Sequence, residues 1–331
     1  MKVGVIGAGS WGTALAIQLA RNGNTTTMWD RDGARALRMQ VERVNTRYLP
    51  GLEFPPGLTV TNQLEGAVRG AELIVEAVPS TAIRPVIAEV SRLIAPGVPV
   101  VCATKGIEVD TLLTMDEVLA ELLPPGTPLV TLGGPSFAKE VAMGLPTAVV
   151  VASRHDGGCH AAATALHGGF FRVYHSDDVV GVEVGAALKN VLAIACGVSD
   201  GAGLGTNARA ALITRGLTEM TRVAVARGGH PLTMMGLAGL GDLVLTCTGD
   251  LSRNRRVGLG LGKGGTLRQV LADLGQVAEG VVTAQSAWQL ALREGVEMPI
   301  TEQVYRMLYE DKPVFEVLRD LAGRPRTAER G

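Results

Sequence analysis

Residues 2–21 read KVGVIGAGSWGTALAIQLAR, and the reading of this stretch decides the fold. Its first five residues form a short β-prone run, and its second half carries apolar residues at helical spacing. Between the two, Gly7, Gly9 and Gly12 stand as G-x-G-x-x-G in a strand–turn–helix context. Gly7 permits the tight turn, Gly9 lets a pyrophosphate approach the backbone, and Gly12 lets helix and strand pack closely. The helix start then offers free N–H groups and a favourable dipole to an anion. A basic start with an apolar stretch is also the pattern of a secretory leader. Three glycines at these positions make better sense as a phosphate-binding turn.

Working outward, β-type runs recur at TTTMWD (ending at Asp30), LTVT (58–61), ELIVEAV (72–78), VPVVCAT (98–104), PLVTL (128–132) and TAVVVAS (147–153), with FRVYHS as the last. Several are near-continuous Val/Ile/Leu strings, the mark of parallel strands buried on both faces. Helical patterns lie between many of them, such as 32–42 and 81–94, so the spacing predicts an α/β fold with a parallel sheet. Beyond residue 178, 3.6-period apolarity dominates at 180–200, 207–227, 266–273, 281–294 and 300–310. The expected architecture is a Rossmann-type dinucleotide-binding domain, residues 1–178, followed by a mostly α-helical substrate-binding and catalytic domain, 179–331. The tail GRPRTAERG (323–331) is polar and rich in breakers, and is expected to fray.

Composition narrows the function. The 331 residues carry a formal net charge of −1, which gives no footprint for nucleic acid or a membrane surface. Cys102, Cys159, Cys196 and Cys247 are scattered, without a C-x-x-C pair or a His cluster, so no metal site is expected. Few cysteines in a long chain suit a reducing cytoplasm. No apolar run is read as long enough to span a membrane. Forty-three glycines are about twice the usual share, so many tight turns or close backbone approaches are expected.

Chemistry concentrates in a few segments. Asp30 ends the second β-run, where a carboxylate binds the ribose of NAD; the adjacent Arg31 suits the 2′-phosphate of NADP, so the pair leaves the cofactor open. CATKGIE sets Lys105, and GGPSFAKE sets Gly134 and Ser136, just after buried strands. GLGDLVLTCT places Asp242 and Thr246 on one helical face. SRNRRVG offers Ser252, Arg253 and Asn254 at a helix start, a seat for a small phosphate. AALKNVLAIACG inserts Lys189 and Asn190 into an apolar helical run, where a lysine is rarely buried unless it is paired or used. Each segment has a plainer reading, as helix cap, solvated turn or snorkelling lysine; together they supply a base, a carboxylate partner and a phosphate clamp.

GAGSWGTA, ATKGIE, GGPSFAKE, ALKNVLAIACG, GLGDLVLT and SRNRRVG, in that order, closely resemble the NAD(P)-dependent glycerol-3-phosphate dehydrogenases of bacteria, from the first strand to about residue 310. The resemblance implies interconversion of dihydroxyacetone phosphate and sn-glycerol 3-phosphate, supplying phospholipid synthesis, with NADP or NAD as cofactor and NADPH favoured. It makes Lys189 the proton donor and acceptor, with Lys105 touching substrate and cofactor. Asp242 contacts substrate and holds Lys189; Gly134, Ser136, Asn190 and Thr246 line the substrate; Ser252, Arg253 and Asn254 receive its phosphate. Ser10, Trp11, Arg31, Tyr48, Ala138, Arg253, Val277 and Glu279 are similar to cofactor-contacting positions. Homodimers are common in this family, and one is expected here. Two other readings remain open: another two-domain dehydrogenase, of the 3-hydroxyacid or 6-phosphogluconate type, and a dinucleotide-sensing module without chemistry.

Overall fold

The computed structural model describes residues 1–325; the end of the tail, 326–331, lies outside the described residues, and with it part of the fraying expected there. Eight strands form one sheet: β1 (Lys2–Ile6), β2 (Thr25–Trp29), β3 (Leu58–Thr61), β4 (Leu73–Glu76), β5 (Val100–Cys102), β6 (Leu129–Gly133), β7 (Thr147–Ala152) and β8 (Phe171–Ser176). Their order is β3-β2-β1-β4-β5-β6-β7-β8. The first six strands follow the doubly wound dinucleotide-binding order. Val5 pairs with Met28 on one side and Val75 on the other, so β1 is central, and Val3, Val5 and Ile6 are buried.

Helices α1 (Ser10–Arg21), α2 (Gly33–Glu42), α3 (Leu64–Val68), α4 (Ile83–Ser91), α5 (Met115–Leu122), α6 (Ala138–Met143) and α7 (Asp156–Leu166) link the strands. The sheet is not wholly parallel as expected: β7 runs antiparallel to β6. The 134–146 connection stays at the carboxyl end of the sheet. Gly144, at φ +78, ends α6 and turns the chain back there, whereas a parallel return needs a crossover along the sheet's length. The α7 crossover then restores parallel pairing between β7 and β8.

From residue 179 the chain is helical: α8 (Val179–Gly201), α9 (Gly205–Ala226), α10 (Pro231–Met234), α11 (Asp242–Thr248), α12 (Arg253–Gly262), α13 (Leu267–Leu274), α14 (Glu279–Glu294), α15 (Pro299–Tyr309) and α16 (Val314–Ala322). A wide turn at Leu237–Gly241 leads into α11. The side chain of Asp178 caps α8 by accepting from the Gly181 N–H. α8 is the axis of this half, packed by α9, α11, α12 and α14 and buried around nearly its whole circumference. Two helical stretches, Val179–Gly201 and Pro231–Thr248, are apolar and long enough to cross a membrane by length and composition, which the sequence reading missed. In the first, 89% of the qualifying window is buried inside the protein, so its apolarity is accounted for by its place as a core helix.

α8 and α12 touch backbone to backbone. Gly197 and Gly201 on α8 face Gly258 and Gly262 on α12, and a Cβ on any of the four would fall inside the van der Waals shell of the opposite helix. Four-residue glycine spacing on both helices makes that approach possible. It also fixes what lies one turn upstream on α12, namely Asn254.

Candidate active site

The strand order reverses between β1 and β4, and ligands of doubly wound sheets bind at the carboxyl ends of the strands at that point. Gly7 follows β1 at φ +114, and a Cβ there would lie 2.6 Å from the Ala77 carbonyl oxygen. A Cβ on Gly12 would overlap the Gly7 carbonyl, so both glycines are required by the fold itself. Gly9 is different: its φ is −72, and a Cβ would meet nothing within 4 Å. Nothing in the protein demands glycine there; the open space lies before the first N–H groups of α1, where a pyrophosphate fits. Among the described residues Trp11 Nε1 is a buried donor without a partner, on the half-buried Ser10–Trp11 step of the same turn. A dinucleotide therefore fits this cradle.

At the end of β2 the structure adds a residue that sequence reasoning missed. Arg35 donates to both oxygens of Asp30, each at 2.5 Å, and Asp30 is buried. The guanidiniums of Arg35 and Arg47 lie 5.8 and 5.3 Å from the centroid of the Tyr48 ring. Arg31 is exposed beside them. The carboxylate expected to stand free for a ribose is thus already held, and the surrounding groups are cationic. The only sequence signal was a second arginine one helical turn into α2.

Lys189, Lys105 and Asp242 come together from three distant places in the chain. Lys189 sits midway along α8 and is 5% exposed, Asp242 opens α11 and is 1% exposed, and Lys105 follows β5 across the cleft. Lys189 Nζ pairs with Asp242 Oδ1, and Lys105 Nζ donates to Oδ2 at 3.0 Å. Thr246, one turn along α11, donates to the Asp242 backbone carbonyl at 2.6 Å and lies 3.3 Å from Oδ1. Burial pushes the Lys189 ammonium down to about 7; the Asp242 charge works against that, and the Lys105 charge works with it. Burial also acts to raise Asp242, but the two lysines outweigh it and hold the carboxyl below its ordinary range.

A second chain of contacts joins three helices. Asn254 Nδ2 donates to Asn190 Oδ1 at 2.9 Å, and the Gly280 N–H donates to Asn254 Oδ1 at 2.9 Å. A Cβ on Gly280 would lie 2.6 Å from the Asn190 carbonyl oxygen, so α14 enters as close as a glycine allows. Ser252 caps α12 by accepting from the Arg255 N–H, and Arg255 is clasped by Asp200 at the end of α8. Arg253 sits on the first turn of α12, within electrostatic reach of Glu279 and Tyr48. Burial holds its guanidinium below the usual arginine range, and both neighbours oppose that. Glu279 accepts from Ser80 Oγ at 2.6 Å, a bond that spans the cleft between the sheet and the helical half. Burial raises the Glu279 carboxyl, against Ser80 and Arg253.

The remaining expected residues are less engaged. Gly134 has φ +108, and its Cβ would lie 3.1 Å from Val149 Cα; Ser136 Oγ donates to the Gly134 carbonyl at 3.0 Å. Ala138 packs against the sheet core, and Val277 is 51% exposed just before α14. Ser80 was not foreseen, although its place after β4, at the carboxyl edge of the sheet, was a usable signal.

Comparison with known proteins identifies the family. The family model for the N-terminus of NAD-dependent glycerol-3-phosphate dehydrogenase matches residues 2–159, and that for its C-terminus matches 178–319. A glycerol-3-phosphate dehydrogenase (NAD(P)+) of Geobacter metallireducens is 53% identical over 332 residues, covering 100% of this chain and 99% of the relative. One from Anaeromyxobacter sp. strain K is 57% identical over 312 residues, covering 94% of each. The crystal structure of glycerol-3-phosphate dehydrogenase from Coxiella burnetii superposes with a TM-score of 0.94 at 44% identity, over 98% of this chain and 99% of that one. A D-mandelate dehydrogenase structure, at 16% identity and a TM-score of 0.65, shares the fold alone.

Proposed function

The chain belongs to the NAD-dependent glycerol-3-phosphate dehydrogenase family, and on that premise we propose that it reduces dihydroxyacetone phosphate to sn-glycerol 3-phosphate with Lys189 as the proton donor. The observation that carries this reading is the pairing of two lysines on one buried carboxylate, Asp242, with Lys105 at the carboxyl end of the sheet that carries the dinucleotide cradle. The nicotinamide supplies the hydride. Lys189 gives its proton to the developing alkoxide, and its charge stabilises that oxygen before transfer. A lysine held at about 7 is half protonated at neutral pH, so the same group takes the proton back in the oxidative direction. Asp242 orients both ammonium groups, and Lys105 sets a second cation against substrate and cofactor.

Arg253, Asn254 and Ser252, at the start of α12, take the phosphate by charge and helix N–H groups. Asn190, Thr246, Gly134 and Ser136 complete the substrate wall. Gly7, Gly9, Ser10, Trp11 and Gly12 carry the pyrophosphate; Arg31, Tyr48, Ala138, Arg253, Val277 and Glu279 contact the rest of the dinucleotide. NADPH is the favoured cofactor, because Arg35 neutralises Asp30 and leaves arginines beside Tyr48 for the 2′-phosphate. In this assignment residues 1–178 bind the dinucleotide and 179–331 bind the substrate. The enzyme works in the cytoplasm as a homodimer, and its product serves as the glycerophospholipid backbone.

The test is a nicotinamide-absorbance assay with dihydroxyacetone phosphate and each cofactor, run on the wild type and Lys189→Ala. Turnover is expected to vanish in the variant while NADPH binding, read by fluorescence, persists. Near-normal turnover in Lys189→Ala would remove the assignment.

A further inference from the structure

Several buried acids, Glu183 and Glu219 among them, have no part in the reaction described above, and Glu76 is the one that lies directly behind the site. Glu76, the last residue of β4, is fully buried between β1 and β5, and among the described residues no lysine or arginine pairs with it. Its Oε1 accepts from the Val78 N–H at 2.7 Å and lies 2.8 Å from Thr104 Oγ1. Thr104 Oγ1 lies 2.5 Å from the Val78 carbonyl oxygen. That hydroxyl therefore touches two oxygens at short range but owns one proton. A carbonyl can only accept, so the threonine proton goes to Val78. The contact with Glu76 then needs a proton from the carboxyl itself.

We propose that Glu76 is a positioning residue of this dehydrogenase: as a neutral acid it donates to Thr104, and the resulting Glu76–Thr104–Val78 relay locks together the two loops that carry Lys105 and Ser80. Thr104 immediately precedes Lys105, whose ammonium reaches Asp242. Val78 lies two residues before Ser80, whose hydroxyl reaches Glu279. Ala77, between Glu76 and Val78, backs onto Gly7 of the dinucleotide turn. One carboxyl thus ties three ligand-facing segments from behind.

The surroundings favour the neutral form. Burial pushes the Glu76 carboxyl up to about 7, against hydrogen bonds from the backbone N–H groups of Val78 and Thr104 and from Cys102. From β5, Cys102 Sγ lies 3.8 Å from Oε2, and burial keeps that thiol protonated; Glu183 of α8 and Asp116 of α5 add negative charge around it. Arg84 of α4 is occupied by Glu108 and Glu121, and Lys105 by Asp242. When Glu76 ionises, its proton leaves to solvent, the threonine hydroxyl turns to the carboxylate, and Val78 O loses its donor. The loops then loosen, and ligand affinity falls above neutral pH.

This inference rests on the proposed reaction only for its kinetic readout, so the test has two arms. In the first, infrared spectra of the intact protein are compared between pH 6 and pH 9. A protonated-carboxyl band that Glu76→Gln removes is expected in wild type at pH 6 and lost at pH 9; the buried acids Glu183 and Glu219 keep their own contributions in the variant, whose amide cannot ionise. In the second, NADPH affinity by fluorescence and KM for dihydroxyacetone phosphate are followed over the same range. Wild type is expected to weaken roughly 10-fold, the scale of one lost hydrogen bond. Glu76→Gln should stay flat in Kd and KM while keeping the fall in kcat that belongs to Lys189. A missing band at pH 6, or the same loss of affinity in Glu76→Gln, overturns the proposal. Failure to turn over the triose phosphate would instead strike the reaction and leave the infrared and NADPH readouts standing.

Discussion

Gly258→Ala tests whether the crossing of α8 and α12 assembles the site. The added methyl would lie 2.7 Å from Val198 N and 2.8 Å from Gly197 Cα, and closer still to the Ile194 carbonyl oxygen. Carbon contacts are comfortable at about 3.5–4.0 Å, so the helices must part by roughly 1 Å. Overpacking of this kind costs about 1–3 kcal/mol. With about 2.1 cal/mol/K of unfolding entropy per residue over 331 residues, each kcal/mol moves Tm by about 1.4 °C, giving a fall of about 1–4 °C. Asn254 lies one turn upstream on the same face of α12, bonded to Asn190. A displacement of about 1 Å at a substrate-positioning group costs on the order of 100-fold in rate. NADPH affinity should fall less than kcat/KM, because the cradle around Gly9 belongs to the sheet and α12 reaches the cofactor through Arg253 alone. The assays are thermal unfolding, steady-state reduction of dihydroxyacetone phosphate, and NADPH fluorescence titration. A variant with unchanged kcat/KM would refute the idea that glycine-mediated contact places Asn254 and Arg253, even if its Tm fell as expected.

Gly9→Ala and Gly12→Ala should separate binding from folding: the first leaves Tm unchanged and weakens NADPH, while the second destabilises the protein. Reduction of dihydroxyacetone phosphate should be flat below pH 7 and decline about 10-fold per pH unit above it, because the donor form of Lys189 is lost as pH rises through about 7; a break near pH 10 would place the proton elsewhere. Arg35→Ala frees the Asp30 carboxylate, so the ratio of kcat/KM for NADPH over NADH should fall; a ratio that holds would remove Arg35 from cofactor choice. Glycerol 3-phosphate at about 100 times its Kd should stabilise the protein by about 2.7 kcal/mol, while glycerol at the same concentration should not. Equal shifts with both would argue against an anion seat at α12.

The elements that were legible in the sequence share a strong period. The glycine turn, the six leading β-runs and the long helices 180–200 and 281–294 all formed close to where their patterns lie, because each buries an unambiguous face. What escaped was set by tertiary contacts. The reversal of β7 depends on where the 134–146 connection turns, and no local signal fixes that. The start of α12 at Ser252 was legible, but its body, RNRRVGLGLG, is a glycine-rich basic stretch with poor helix propensity. It is helical because its glycines let it press against α8, a fact visible only when both partners are present. The site divides in the same way. Lys189, Asp242 and Lys105 stood out because each breaks the pattern of its own segment. Arg35 and Ser80 are ordinary in theirs, and gain meaning only from Asp30 and Glu279, the latter 199 residues away.

In the proposed reaction the apolar jacket of Lys189 is itself part of the chemistry. Leu188, Val191, Leu192 and Ala193 are all buried, so the ammonium has lost its water. Unopposed, that loss would drive the group to its neutral form and leave no proton to give at pH 7. Asp242 restores enough of the charged form to bring the lysine back to about 7, and it can do so only while it stays ionised itself. Here Lys105 acts in two opposite ways. Its charge lowers Lys189 directly, yet it also holds the Asp242 carboxyl ionised and so preserves the partner that raises Lys189. A single lysine–carboxylate pair would have to set pKa and geometry with the same contact. Two lysines on one carboxylate let Lys105 fix the ionisation of Asp242 from across the cleft, leaving Lys189 free to exchange its proton near neutral pH. In the proposed reaction that division of labour gives a role to the place of the third member: the group that secures the carboxylate follows β5, on the sheet side, so the tuning of the proton donor depends on both halves of the molecule.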